Sequence, residues 1–276
     1  MDLLPTGSWD AHLHLPPDAA SSTDACNAGT LVKCRPAYNF VLTQPIPDKS
    51  YGQIMSTLPG IQSMEREARA SIMLEPSDFN TTRLRTFAAQ GVRSVRVHIA
   101  KISMDHGAEL ENVEKVLKEH ALALAEAELK WPIDAQLSLS TWAKLAPTIE
   151  KLHDRHGTTF IADHIFCAGP DAAESEELAT CLGLVEKGLV FVKVSGMAKY
   201  APEGPDRFKA IVERVLRCKS GQMALWGSDW PHANIEGKTS EVDEERQLEM
   251  LKGVCDGLGE GYWEKLTRDN AAKIYA

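Results

Sequence analysis

A regular alternation of short β-like runs and amphipathic helical segments extends through the 276-residue chain. Most of the runs are rich in β-branched or aromatic residues, which favour strands. Parallel strands need a crossover connection of about a dozen or more residues, usually a helix, so the alternation predicts a parallel sheet of βα units. The eight predicted strands are Ser8–His14, Tyr38–Gln44, Ala70–Glu75, Arg93–Ile99, Trp131–Leu137, Thr158–Asp163, Val190–Ser195 and Met223–Ser228.

The segments between and after these runs carry apolar residues at helical spacing. The clearest predicted helices are Asn112–Lys130, Thr141–His156, Glu174–Lys187, Asp206–Cys218, Glu241–Val254 and Tyr262–Tyr275. Eight βα repeats predict a single (β/α)8 TIM barrel over residues 1–276, because this fold typically takes roughly 250 residues. A doubly wound open sheet is the alternative, but no G-x-G-x-x-G or G-x-x-x-x-G-K sequence follows any run.

One stretch, Pro16–Pro36, interrupts the alternation at the place where a first barrel helix belongs. It is rich in Pro, Asp, Ala, Ser and Thr, so we expect an irregular loop after the first strand, with or without a short helical turn. In a barrel this loop lies on the active face, where it acts either as a lid or as a simple connection.

The charge balance argues against several classes of partner. Lys and Arg number 30 and Asp and Glu 39, which gives a net charge of −9. An acidic chain repels nucleic-acid phosphates and anionic membrane surfaces. We therefore expect no nucleic-acid partner and no membrane partner. The first residues lack a basic stretch followed by an apolar one, and the scattered cysteines form no C-x-x-C, so a reduced, cytoplasmic protein without a secretory signal is expected.

Polar residues stand at the carboxyl ends of the predicted strands, where barrel enzymes carry their catalytic groups. His12 and His14 end the first strand, His164 follows the sixth and Asp229 follows the eighth. Because side chains alternate along a strand, Arg96 and His98 also share one face of the fourth. Three imidazoles and a carboxylate at one end of a barrel predict a catalytic site.

Several short segments carry a family resemblance, and they occur in the family's order along the whole chain. They are WDAHLHL (9–15), Gln44-Pro45, GVRSVRVH (91–98), ADHIFCAGP (162–170), VKVSG (192–196), LWGSDWPH (225–232) and RDNAAKIY (268–275). In these the chain resembles the amidohydrolase superfamily, and more narrowly its metal-optional branch of pyrone-dicarboxylate and sugar-lactone lactonases.

The resemblance implies a hydrolase that opens a lactone or related cyclic ester of a small carboxylated molecule. It implies that Asp229 is the base that activates water and that His12, His14 and His164 surround the reacting carbonyl. Lactone hydrolysis needs such a base and a site for the developing oxyanion. The expected substrate-binding residues are Arg96, which would hold a carboxylate, together with His98, Gln44, Lys193, Lys199, Trp230 and His232.

The metal-optional branch implies that no cofactor is required. The alternative is one divalent metal, most readily Zn²⁺, on His12, His14, His164 and Asp229. With a bound metal, the same residues also suit a Zn-dependent decarboxylase or lyase of an aromatic or unsaturated acid. A third possibility is a non-catalytic binding protein on the same scaffold, but a protein that had lost its activity would have no need to keep all four residues.

Two departures from the lactonase pattern concern the substrate. Ile46 stands where dicarboxylate lactonases place a serine, and Lys199 lies in the segment where they place an arginine. A lysine meets an anion as a point charge instead of a two-pronged fork. The pocket is therefore expected to take a less anionic substrate than a pyrone dicarboxylate.

Overall fold

A computed structural model describes residues 3–15, 28–45, 52–99, 110–232 and 242–276. Eight parallel strands form one sheet in sequential order. Their bounds are β1 Trp9–Leu13, β2 Asn39–Thr43, β3 Ala68–Ile72, β4 Val92–His98, β5 Ile133–Gln136, β6 Phe160–Ala162, β7 Val190–Val194 and β8 Ala224–Trp226. The sheet is nearly closed, because the segment after β8 is joined to β1: the backbone N–H of Asp229 donates to the carbonyl of His12 at 2.8 Å.

Helices cover the outside of the sheet. They are α1 Ala28–Cys34, α2 Gly52–Gln62, α3 Thr81–Ala89, α4 Leu110–Glu126, α5 Leu139–His156, α6 Glu176–Glu186, the one-turn α7 Met197–Tyr200, α8 Lys209–Arg217 and α9 Glu244–Leu258. Three contiguous helical segments end the chain, Tyr262–Glu264, Lys265–Asp269 and Asn270–Ile274. The predicted (β/α)8 barrel is confirmed.

Three of these helices, α2, α3 and the one-turn α7, were not predicted, and α2 has a weak helical sequence. Helix α2 contains Pro59 and two glycines, which lower helix propensity. Helix α1, seven residues long, lies within the stretch where an irregular loop with or without a short helical turn was expected. Residues 16–27 of the stretch, and Ile46, lie outside the described residues.

Helix α5 shows how local sequence sets the outer layer. Ser138 caps its start by accepting a hydrogen bond from the backbone N–H of Thr141, and Gly157 ends it at a positive φ of 67°. Its buried face includes Trp142, Leu145, Ile149 and Leu152, which follow the 3.6-residue repeat.

The end of the chain packs against the barrel floor. Tyr275 is fully buried and stacks on Trp9 of β1, with ring centroids 6.4 Å apart. Asn270 donates from Nδ2 to the carbonyls of Gly221 and Ala224 and so fixes the last helix to β8. Among the described residues, no helix has the length and apolar character needed to cross a bilayer.

Candidate active site

Three imidazoles and one carboxylate meet at the carboxyl ends of β1, β6 and β8. The Oδ1 atom of Asp229 lies 3.7 Å from Nε2 of His12, 3.6 Å from Nε2 of His14 and 3.8 Å from Nε2 of His164. His12, His164 and Asp229 are almost fully buried, and His14 is slightly more open. The structure therefore brings together the four residues that the sequence placed at the strand ends.

Hydrogen bonds on the far nitrogens orient two of these rings. Nδ1 of His14 lies 2.8 Å from the carbonyl oxygen of Thr43, to which it donates. Nδ1 of His164 lies 2.9 Å from the hydroxyl of Ser195. A proton on Nδ1 leaves Nε2 with a lone pair, and in both rings Nε2 faces Asp229.

His12 stands between this cluster and a layer of charges beneath it. Its Nδ1 lies 3.1 Å from both Oδ1 of Asp163 and Nζ of Lys193. As a neutral ring it either donates from Nδ1 to the carboxylate or accepts there from the ammonium. Only the first arrangement leaves Nε2 unprotonated toward Asp229.

Burial keeps all three imidazoles neutral near pH 7. It lowers the pKa of His12 well below the ordinary value, lowers that of His14, and lowers that of His164 to about 4. Burial raises the pKa of Asp229, but the groups around the carboxylate, among them the ammonium of Lys199, outweigh burial and hold that pKa well below the ordinary range. Because the rings are neutral, the charge opposite Asp229 at pH 7 is the ammonium of Lys199, 2.6 Å from Oδ2.

Unusual backbone conformations aim the two loop residues at the cluster. His164 and Asp229 have φ angles of 51° and 62°, in the left-handed region that costs non-glycine residues about 1–3 kcal/mol. Glycines make room for the rings: a Cβ added at Gly196 would lie 2.5 Å from Nδ1 of His164, and one at Gly227 would lie 2.6 Å from Cβ of His12.

A buried layer of charges lies beneath the four residues. The ammonium of Lys193 on β7 is fully buried, 2.5 Å from Oδ2 of Asp134 and 3.2 Å from Oδ1 of Asp163. Nη2 of Arg96 lies 3.2 Å from the other oxygen of Asp163 and donates to Gln136 at 2.8 Å. Burial and the charge of Asp163 raise the pKa of Asp134 to about 7, whereas Lys193, His12 and Arg96 outweigh burial and keep that of Asp163 well below its ordinary value.

The other expected substrate-binding residues lie in different surroundings. Arg96 is buried, and its Nε and Nη1 atoms have no hydrogen-bond partner among the described residues. His98 is half-buried at the end of β4, and burial together with Arg96 lowers its pKa to about 3. Oε1 of Gln44 accepts from the backbone N–H of Met73. Lys193 meets two buried carboxylates, which leaves it beneath the mouth.

Trp230 and His232 belong to a second polar cluster beside the mouth. The ring of Trp230 lies under the guanidinium of Arg35, 5.5 Å away, and Nε2 of His232 lies 3.0 Å from Oε1 of Glu244. Arg35 forms a two-pronged ion pair with Glu244 at 2.8 and 2.6 Å. Glu244 belongs to the acidic run at the start of α9. The sequence predicts that this run is exposed to solvent, but most of the Glu244 side chain is buried in the structure.

Sequence reasoning did not assign Asp134 and Asp163 to the site. Both carry a signal that could have placed them there, because Asp134 shares the inward face of β5 with Gln136 and Asp163 directly precedes His164. Their partners, Lys193 and Arg96, are remote in sequence, so the ion pairs had no local signal.

The described residues also meet the requirements of a metal site. Ligand atoms of His12, His164 and Asp229 all lie within 4.8 Å of one another. Oδ1 of Asp229 is buried without a hydrogen-bond partner among the described residues, although it faces three imidazole nitrogens. Imidazole nitrogen and carboxylate oxygen are ligands that Zn²⁺ prefers. A cation placed among them would satisfy this oxygen.

A (β/α)8 barrel with histidines and an aspartate at its strand ends has the architecture of a barrel hydrolase. The chain belongs to the amidohydrolase family, whose sequence profile matches residues 64–276.

One curated relative is D-galactarolactone isomerase of Agrobacterium fabrum, 24% identical over 129 residues. The match covers 45% of this chain and only 41% of that relative. Among solved structures, a probable 2-pyrone-4,6-dicarboxylic acid hydrolase from Acinetobacter baumannii, with citric acid bound, has a TM-score of 0.71 and 18% identity over 98% of this chain and 99% of that one. An amidohydrolase from Burkholderia multivorans with bound zinc has a TM-score of 0.65 and 16% identity over 97% and 98%.

The expectation that no cofactor is required is wrong. Two findings overturn it: the described His/Asp cluster is able to hold a metal ion, and an amidohydrolase of the same fold has bound zinc. The physical reason is geometric: three imidazole nitrogens face Oδ1 of Asp229, which is buried without a hydrogen-bond partner among the described residues. The sequence shows the ligand types but not the distances between them.

Proposed function

We propose that the chain is a metal-dependent hydrolase that opens a lactone or related cyclic ester of a small carboxylated molecule. The observation that carries the proposal is the single carboxylate oxygen, Oδ1 of Asp229, at 3.6–3.8 Å from three imidazole nitrogens. Two relatives of the chain have names that refer to lactone or pyrone dicarboxylate chemistry, and this supports the substrate class.

The four residues of the cluster would hold the metal. His12, His14 and His164 would contribute Nε2 and Asp229 would contribute Oδ1. A bound Zn²⁺ supplies Lewis acidity, which lowers the pKa of a water molecule and polarises a carbonyl. The bond from Nδ1 of His14 to the carbonyl of Thr43 keeps that ring in the tautomer that the site needs, and the contact with the Ser195 hydroxyl orients the ring of His164.

Asp229 is the proposed proton acceptor. Its low pKa keeps it ionised at neutral pH. With Oδ1 facing the metal, Oδ2, which lies 2.6 Å from Nζ of Lys199, would accept the proton of the hydrolytic water. Once the ring has opened, the protonated carboxyl is placed to return that proton to the leaving alkoxide.

Arg96 is the proposed partner of the substrate carboxylate. Two of its guanidinium nitrogens are buried without a hydrogen-bond partner among the described residues, which is a costly state that an anionic ligand would relieve. His98, Gln44, Lys199, Trp230 and His232 are proposed to shape the rest of the pocket. Lys193 is assigned to the layer beneath.

The test combines metal removal with one substitution. Ring opening of sugar-derived and pyrone carboxylate lactones is followed by acid release in a pH-stat. Chelation should abolish turnover and Zn²⁺ should restore it. Asp229→Asn should lower kcat by about 10²–10⁴-fold, the range for loss of a general base, while the exposed Asp154→Asn should leave it unchanged.

The outcomes separate the alternatives. Activity that survives complete metal removal contradicts the metal-dependent mechanism. Release of CO₂ without ring opening identifies the decarboxylase alternative, and interconversion of lactones without net acid release identifies an isomerase.

A further inference from the structure

Two sets of potential metal ligands share one residue in this site. The outer set contains His12, His164 and Asp229, and the inner set contains His12, Asp134 and Asp163. Within each set the ligand atoms lie within 4.8 Å of one another. Taken by ligand type alone, the described residues of the barrel offer places for two cations.

The inner set already surrounds a cation of the protein itself. Nζ of Lys193 lies 2.5 Å from Asp134, 3.2 Å from Asp163 and 3.1 Å from Nδ1 of His12. Asp134 and Asp163 accept from two of the three N–H donors of the ammonium, and Nδ1 of His12 lies beside it. The lysine reaches this point from β7 and is fully buried, so water does not compete for it.

We infer that Lys193 takes the place of a second metal ion and limits the proposed centre to one. This inference rests on the proposed function, because it concerns the metal content of the same site. The charges support it: two buried carboxylates, Asp134 and Asp163, face two buried cations, Lys193 and Arg96, and Ser71 adds a neutral hydrogen bond to Asp134. A divalent ion added to this balanced layer would meet the ammonium at close range.

Removing the ammonium should convert the inner set into a real metal site. Lys193→Ala leaves two carboxylates, one imidazole and the volume of the lost side chain. An ion in the outer set would still be held by His14, His164 and Asp229, even when Nδ1 of His12 binds an ion in the inner set. Both positions then have three protein ligands, the number typical of catalytic zinc sites.

The experiment measures metal stoichiometry by equilibrium dialysis against Zn²⁺ followed by elemental analysis, and uses Co²⁺ absorption as a second readout. The wild type should bind one ion per chain even in excess Zn²⁺, and Lys193→Ala should bind two. Lys187→Ala is the matched control, because it removes an exposed lysine that is ion-paired with Glu150. The double variant Lys193→Ala/Asp134→Asn should return to one ion, since it loses an inner ligand.

Each result decides the inference separately from the proposed function. Two ions in the wild type, or no gain in Lys193→Ala, overturn the role of Lys193. A wild type that binds no ion contradicts the proposed function, but a gain of one ion in the variant still supports the inner site. If Lys193→Ala does not fold, Lys193→Leu keeps the apolar stem and is measured in its place, with the wild-type stoichiometry as the independent check.

Discussion

Gly196 allows a direct test of how closely the barrel packs around His164. It has a φ of 63°, and a Cβ added there would lie 2.5 Å from Nδ1 and 2.8 Å from Cγ of the imidazole. Ordinary contact needs about 3.4 Å or more, so Gly196→Ala must push the ring by roughly 0.9 Å. That shift breaks the bond from His164 to Ser195 and moves Nε2 relative to Asp229.

The expected losses have two separate sources. An alanine at positive φ costs about 1–2 kcal/mol of folding free energy, which is a few degrees of Tm for a chain of this size. The displaced ring adds a catalytic loss, because misplacing a group by about 1 Å costs on the order of 10²-fold in rate. Gly196→Ala should therefore fold but lose about 10²-fold in kcat, together with affinity for Zn²⁺.

Gly157 is the matched control. It has a similar φ of 67°, but nothing lies within 4 Å of an added Cβ. Gly157→Ala should show the same loss of Tm with unchanged kcat. Lactone turnover, Zn²⁺ affinity and thermal unfolding are measured on both variants. Full activity in Gly196→Ala, or equal activity losses in the two variants, would refute the packing argument.

Two further predictions concern charged side chains. Arg96→Met should raise KM for a carboxylated lactone by about 10–100-fold, the range for loss of a charged hydrogen bond, and should have little effect on KM for the neutral ester of that lactone. Arg93→Met, on the same strand, is the control. Equal losses for both substrates would show that Arg96 does not bind the carboxylate. Hydrogen bonds from His232 and Arg35 outweigh burial and lower the pKa of Glu244 from 4.5 to about 2. The ionised carboxylate therefore stabilises the folded state by about 3 kcal/mol; this stabilisation is complete above pH 4.5 and is lost as the pH falls toward 2. The difference in unfolding free energy between the wild type and Glu244→Gln should shrink over that interval, whereas the exposed Glu245→Gln should show no such trend; a difference independent of pH would contradict the assignment.

The strand ends were predictable because their signal is local. His12, His14, His164 and Asp229 each occur where a β-like run stops, and parallel strands in one sheet bring such ends together whatever the intervening loops do. Helix α2, which contains Pro59 and two glycines, was missed because propensity is a weak prior that packing against a barrel overrides.

The charged layer was not predictable in the same way. Lys193 pairs with Asp134 across 59 residues and Arg35 pairs with Glu244 across 209. From sequence, Lys193 suited a substrate-binding role and Glu244 a solvated helix start. The pairing of these charges depends on how the barrel closes and on how far each side chain reaches. Neither property can be recognised in the order of residues along the chain.

The sequence by itself determined the (β/α)8 barrel and the residue types at its mouth, because alternation and strand-end polarity are properties of consecutive residues. Only the tertiary structure decided what those residues do to one another. Burial depresses the imidazole pKa values and Lys199 holds Asp229 ionised, while the other oxygen of Asp229 has no hydrogen-bond partner among the described residues. The ammonium of Lys193 lies within the inner set. These effects depend on distances of a few ångströms between residues on different strands. They are the reason that the site is now interpreted as a metal site and not as one that works without a cofactor.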